Sequence, residues 1–290
     1  MTKRGIFVLG LLLAGSATIG IAQSKLVGVN AAIRNSVQIK PAGGAAFAAA
    51  QLKQRVSLGD DIQTASASVL QILLLDKTTF TVGSNARVRI DRFVYDPVKG
   101  ASAVGASVAK GAFRFMSGKP TRGMPGQSTV NTPVGSIGIR GTIFEGVVGS
   151  DAARIARSES AVCSVASDPN NATLIVLRGP GGRTQGDEKA GEIDLTIDGK
   201  VVGLATPGMA LFVPGPGKAP IGPFMLSDEG LLAIHALLRT TPSKRQGTRG
   251  VTTEGSPVVD LILECGGGDP VQSSTGGPVI GIGSGGCSRF

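Results

Sequence analysis

The sequence predicts an all-β protein, a twisted antiparallel sandwich or a β-helix-like winding of short strands, with one C-terminal helix and a Gly-rich tail. Short apolar runs alternate with turn signals along most of the chain, which is the pattern of half-buried strands. Forty-four glycines and sixteen prolines supply the turns. Aromatic residues make up only 4% and tryptophan is absent, so the core is expected to be aliphatic, built from Val, Ile, Leu and Ala on pleated strands.

The chain opens on "MTKRGIFVLGLLLAGSATIGIAQS", in which Lys3 and Arg4 precede an apolar run from Ile6 to Ala14 and then small residues. Residues 1–22 read as a secretory signal peptide with cleavage after Ala22, leaving Gln23 as the mature N-terminus. The run is too short for a stable membrane span. A periplasmic or extracellular location follows as an expectation.

Residues 23–150 form the first expected β domain. "LVGVNAAIRNSVQIKPAGG" and "RVSLGDDIQTASASVLQILLLDKTTFTVGSNARVRIDRFVY" read as strands punctuated by "LGDD", "DK" and "GSN". "AAFAAAQL" (45–52) is expected to make a helical turn, and the Gly, Ala and Ser segment from Gly100 to Gly111 to lead into "GAFRFMSGK". There Phe113 and Phe115 fall on one face and Arg114 and Met116 on the other.

In "STVNTPVGSIGIRGTIFEGVV" (128–148), counting by twos places Ile137, Ile139 and Ile143 on one face and Ser136, Arg140 and Thr142 on the other. Glycine weakens a strand interior, so Gly135, Gly138 and Gly141 mark a bulge, a bend or a close backbone approach.

Residues 151–172 read as a connection with one helical turn, and residues 173–226 as a second β subdomain. Its strands are "TLIVLRG", "GEIDLTIDGKVVGLA" and "MALFVPG", with Asp198 and Gly199 as a two-residue hairpin turn. Residues 227–241 carry the expected helix: Ser227 caps it, Asp228 and Glu229 fill its first turn, and Leu231, Leu232, Ile234, Leu237 and Leu238 supply its apolar face. Residues 242–290 read as linker and flexible tail, with a short strand expected at "PVVDLILEC" (257–265).

Charge and chemistry narrow the function. The net charge of +9 falls to +7 once Lys3 and Arg4 are removed, and it is spread singly along the chain. The one dense basic stretch, "SKRQGTR" (243–249), lacks aromatics, so nucleic acid is not an expected partner. Cys163, Cys265 and Cys287 form no CxxC pair and His235 is the sole histidine, so neither a metal nor another cofactor is expected; an exported chain allows one disulfide among three pairings. "GIGSGG" (281–286) has no βαβ context for a dinucleotide. The acidic pairs Asp60–Asp61, Asp187–Glu188 and Asp228–Glu229 are adjacent in sequence and do not converge as an acid–base pair must, and His235 reads as structural. No catalytic residue is expected.

The order "GAFRFMSGK…TVNTPVGSIGIRGTIFEGVV", preceded by "VSLGDDIQTASASVLQILLLDKTTFTVGSNARVRID", resembles the FecR domain family over residues 27–148. The resemblance implies an extracytoplasmic all-β module for protein contacts rather than catalysis. It carries over to Thr132, Pro133, Arg140, Gly141, Thr142 and Phe144 as structural positions. On this reading Pro133 begins the strand, Gly138 and Gly141 permit tight crossing of strands, and Arg140 anchors backbone carbonyls or a carboxylate beneath them. Family members that regulate sigma factors carry a cytoplasmic segment and a membrane span before this domain, whereas a cleavable signal stands here. The expected function is therefore a non-catalytic binding or scaffold module contacting another envelope or surface protein through residues before 150. A cell-envelope glycan ligand and a sensor role in FecR-type signalling are the alternatives, the first disfavoured by the missing Trp and lone Tyr95.

Overall fold

The computed structural model describes residues 25–98, 101–118, 128–179 and 191–239. The expected signal peptide, Asp187 and Glu188, Cys265, Cys287 and the tail with its expected strand lie outside the described residues. In chain order the strands are Leu26–Arg34 (β1), Val37–Lys40 (β2), Ala48–Ala49 (β3), Arg55–Ser57 (β4), Asp61–Thr64 (β5), Val69–Leu74 (β6), Thr79–Val82 (β7), Arg87–Asp96 (β8) and Ala101–Met116 (β9). They continue as Ser128–Thr132 (β10), Gly135–Arg140 (β11), Ile143–Val148 (β12), Thr173–Leu177 (β13), Glu192–Ile197 (β14), Lys200–Leu204 (β15), Met209–Val213 (β16) and Ile221–Met225 (β17). Two helices, Ser150–Ala156 (α1) and Asp228–Leu238 (α2), complete the described elements.

The strands make two facing layers that share β9. One layer runs β4-β1-β6-β7-β9-β12-β13-β16-β17. The other runs β3-β2-β5-β8-β9-β10-β11-β14-β15. All pairings are antiparallel except β9 with β10, which is parallel. The sequence-derived antiparallel sandwich therefore holds, with one parallel seam. β9 changes layers at Gly111, whose φ of +83° and whose absent Cβ, 2.3 Å from Ala86 Cα if it were there, allow the crossing. Residues 101–110 pair with β8 and residues 111–116 with β12. The Gly, Ala and Ser segment is thus strand and not lead-in, because small side chains let β9 lie close against β8, where a Cβ on Gly105 would stand 2.9 Å from Arg92 Cβ.

Between the layers, Val27, Leu70 and Ile72 meet Val37, Ile39, Ile62, Val88 and Ile90, all buried. The core is not purely aliphatic: Phe80, Phe113, Phe115 and Phe144 form a fully buried cluster with ring centroids 5.8–6.1 Å apart. Ten phenylalanines among 290 residues suffice because four of them converge. A bulge between Ile90 and Arg92 shifts β8 by one residue, which brings both Ile90 and Phe93 to the buried face.

A second apolar cluster lies on the other side of the first layer. Val147, Leu174, Val176, Ala210 and Phe212 are covered there by Ala152, Ile155 and Ala156 of α1 and Ile234 and Leu238 of α2. α2 begins as its sequence dictates: Ser227 Oγ accepts from the Gly230 N–H and donates to buried Glu159. Leu232 faces solvent, so the apolar face is narrower than the leucine count implies.

Several expectations are corrected. Residues 45–52 form no helix; Ala50 N–H donates to the Val37 carbonyl, and β3 extends the sheet beside β2. Pro133 does not begin a strand but sits with Val134 in the turn joining β10 to β11, where Thr132 faces Gly135. Gly138 has ordinary clearance from its neighbour at 3.7 Å, and a Cβ on Gly141 would meet nothing within 4 Å. Within this stretch the tight approaches are at Gly135, where a Cβ would stand 2.4 Å from the Thr196 carbonyl oxygen, and at Gly146, where one would stand 2.3 Å from the Phe113 ring. Gly141 serves its positive φ of +59°, by which the chain leaves β11 in one layer and enters β12 in the other. That change of layer also breaks the count by twos: Ile137 and Ile139 face the core, whereas Ile143 is half-buried on the outer face and Phe144 takes the core position. β17, which carries Gly222 and Pro223, was not foreseen; at the rim of a layer a proline is tolerated.

Candidate functional site

β12 alternates cleanly. Phe144, Gly146 and Val148 face the core between the layers, so Ile143, Glu145 and Val147 face outward. Val147 is covered by the helices, and Ile143 reaches open surface. Glu145 stands at the seam between covered and open halves, and its side chain is only 1% exposed.

A carboxylate this deep requires compensation, since removing an ion from water costs several kcal/mol. Strand register supplies it. Arg114 on β9 lies directly opposite Glu145 on β12, with Thr81 of β7 on its far side. Its Nε donates to Glu145 Oε1 at 2.8 Å and its Nη2 lies 2.6 Å from the same oxygen. Arg178, the residue after β13, brings Nε to 3.7 Å from Oε2, and His235 of α2 brings Nε2 to 4.0 Å from Oε1. Oε2 itself accepts no hydrogen bond among the described residues.

The four side chains border an open cleft of about 270 Å³ whose remaining walls include Gln71, Thr79, Thr81, Met116 and Ile143. Two permanently charged guanidiniums face one carboxylate, so the cleft is cationic before His235 is counted. Nothing in this set resembles a nucleophile activated by a base, and no cluster of three or more His, Cys, Asp or Glu side chains suited to a metal occurs among the described residues.

The residues singled out from sequence lie elsewhere. Arg140 projects from β11 on the second layer, half-exposed, and pairs with Glu192 at 3.2 Å and with Asp194, both on β14. The expected carboxylate partner is present, but the guanidinium lies on the surface rather than beneath the strands. Thr142 is buried and its N–H donates to Ser117 Oγ, while Thr132 Oγ1 donates to the Gly135 carbonyl. Asp198 and Gly199, with φ of 46° and 78°, occupy the two-residue turn between β14 and β15. Asp60 ties a loop through Ala42 N–H and Ser57 N–H, Asp61 pairs with Arg87, and Cys163 is disulfide-bonded.

Glu145, Arg114 and Arg178 were not foreseen as a group. Their signal was a single charged residue inside an otherwise apolar strand, once in "AFRF" and once in "FEGVV". Each such charge demands a partner, and only the register shows that the two strands are neighbours.

The family model described as FecR protein matches residues 60–179. Over those residues the chain carries a FecR domain. The match begins and ends later than the sequence resemblance placed it. It contains Arg114, Glu145 and Arg178, whereas His235 and the partners of Arg140 lie beyond it. Two crystal structures, at 2.50 and 1.65 Å, of a candidate anti-sigma factor from Parabacteroides distasonis ATCC 8503 each overlap 56% of this chain and 57% of that one. Identity is 14% and the TM-score 0.35, a likeness that speaks to neither partner nor activity. A comparison with curated proteins finds no match. No described helix is long and apolar enough to cross a membrane.

Proposed function

We propose that this FecR-domain protein is an exported, non-catalytic binding module that contacts another envelope or surface protein in the bacterial periplasm or at the cell surface. The observation that carries the reading is the edge strand β15. Among the described residues it ends the second layer, and across the two-residue turn Ile197 faces Lys200, which makes that pair and Leu195–Val202 hydrogen-bonded ones. The backbone N–H and C=O of Val201 and Gly203 consequently point away from β14. Val201 is 62% exposed. An extended segment of a partner can extend such an edge through main-chain hydrogen bonds.

The other rims are poorer. β3 and β4 have two and three residues, and β17 carries Pro223. A contact surface before residue 150 was the expectation from sequence; the usable edge comes after it, so the contact is assigned to β15.

Val201→Pro removes an outward donor without touching the β14 ladder. Crosslinking in the native envelope with partner identification should show capture lost in Val201→Pro at an unchanged thermal midpoint. Capture undiminished in that variant, or retention on a peptidoglycan or exopolysaccharide matrix in place of any protein, would overturn the reading.

A further inference from the structure

The cleft beside Glu145 lies on the first layer, remote in the fold from β15, and has an unmet requirement of its own. Oε2 of Glu145 is a buried acceptor with no hydrogen bond among the described residues, and Arg178 Nε at 3.7 Å is too far to supply one. Arg114 and Arg178 together carry one more charge than Glu145 cancels. Arg114 spends Nε and Nη2 on Oε1, and its remaining N–H groups and those of Arg178 meet no other acceptor among the described residues, each side chain being about 30% exposed at the cleft. Met116 and Ile143 add an apolar wall.

A ligand that satisfies all of this carries one negative charge, a hydrogen-bond donor next to it, and an apolar group. We propose that the cleft binds the free C-terminal end of a peptide. The terminal carboxylate pairs with the guanidiniums of Arg178 and Arg114, the N–H of the last residue donates to Glu145 Oε2, and the last side chain rests on Met116 and Ile143. A phosphate monoester dianion fits less well, because it sets two charges beside Glu145 and offers no donor. A free amine fits less well again, because it enters between two guanidiniums. The inference does not depend on the β15 edge.

The test uses the full chain and two pools of N-acetyl tripeptides randomised at the last residue, one with free carboxylates and one amidated, followed by protein-detected NMR. The free-acid pool should shift resonances of Arg178, Met116 and Thr81, and amidation should weaken binding by about tenfold or more, as loss of a charge-assisted pair does. Arg178→Gln should weaken the free-acid pool similarly at a temperature where the variant stays folded, and Val201→Pro should leave this binding unchanged. Equal binding of the two pools, binding of neither, or lactate binding as tightly as the free-acid peptides would overturn the assignment; the last result would give the cleft to a small organic acid.

Discussion

Two arginine–carboxylate clusters sit on the two layers of this sandwich, and they differ in almost everything but chemistry. On the second layer, Arg140 of β11 meets Glu192 and Asp194 across a strand pair at the surface, with its side chain 51% exposed. On the first, Arg114 of β9 meets Glu145 of β12 at the edge of a helix-covered face, and the carboxylate is 1% exposed. Water already solvates the first pair well, so the attraction between its members adds little to what hydration supplies. The second carboxylate has given up its hydration and depends on the arginines. Burial, more than the identity of the residues or their distance, sets what each pair is worth.

The largest effect is therefore expected where the compensation is removed. Arg114→Ala leaves Glu145 buried with only Arg178 and His235 near it, and breaking a buried pair from one side costs about 3–5 kcal/mol. Chemical denaturation of the variant should read a loss of that size; a loss within about 1 kcal/mol would place Glu145 in effective contact with water.

Arg140→Ala is expected to cost under about 1 kcal/mol, and less at high salt, because both partners are exposed and remain hydrated without it. A measured cost equal to that of Arg114→Ala would erase the contrast. A buried anchor beneath the strands, as the sequence reading has it, would have cost more.

A third cluster lies between these extremes and responds to pH. The Arg87 guanidinium, by hydrogen bond and charge, holds the Asp61 carboxyl below its ordinary value of 3.8. A carboxyl lowered in the folded state stabilises the protein above its unfolded pKa, and that contribution disappears as pH falls through the folded value. The thermal midpoint of Asp61→Asn should thus lie slightly below wild type near pH ~6 and converge on it below the carboxylate range. A gap that widens on acidification would contradict the pairing.

How much of this could be read in the sequence depends on whether the information was local. The Asp198–Gly199 turn needs only two residues with positive φ, and the α2 cap needs only Ser227 three residues before Gly230; both are visible in a short window. The face assignments of Phe113 and Phe115 followed from alternation within one strand. Ile143 was misassigned because Gly141 turns the chain into the other layer, and parity does not survive a change of sheet. Glu145 was overlooked for a related reason: its partners sit 31 and 33 residues away, on β9 and just beyond β13, and nothing local says that those strands flank β12. Arg140 drew attention because glycines surround it, yet those glycines serve the backbone.

The contrast between the clusters is tested most directly by two double-mutant cycles run on the same protein, one on Arg114 with Glu145 and one on Arg140 with Asp194, read as unfolding free energies. Coupling in the buried cluster should exceed about 2 kcal/mol while coupling in the exposed one stays below about 1 kcal/mol. Equal couplings, or a larger one at Arg140–Asp194, would contradict the claim that burial on the first layer makes Glu145 the charged centre of this fold.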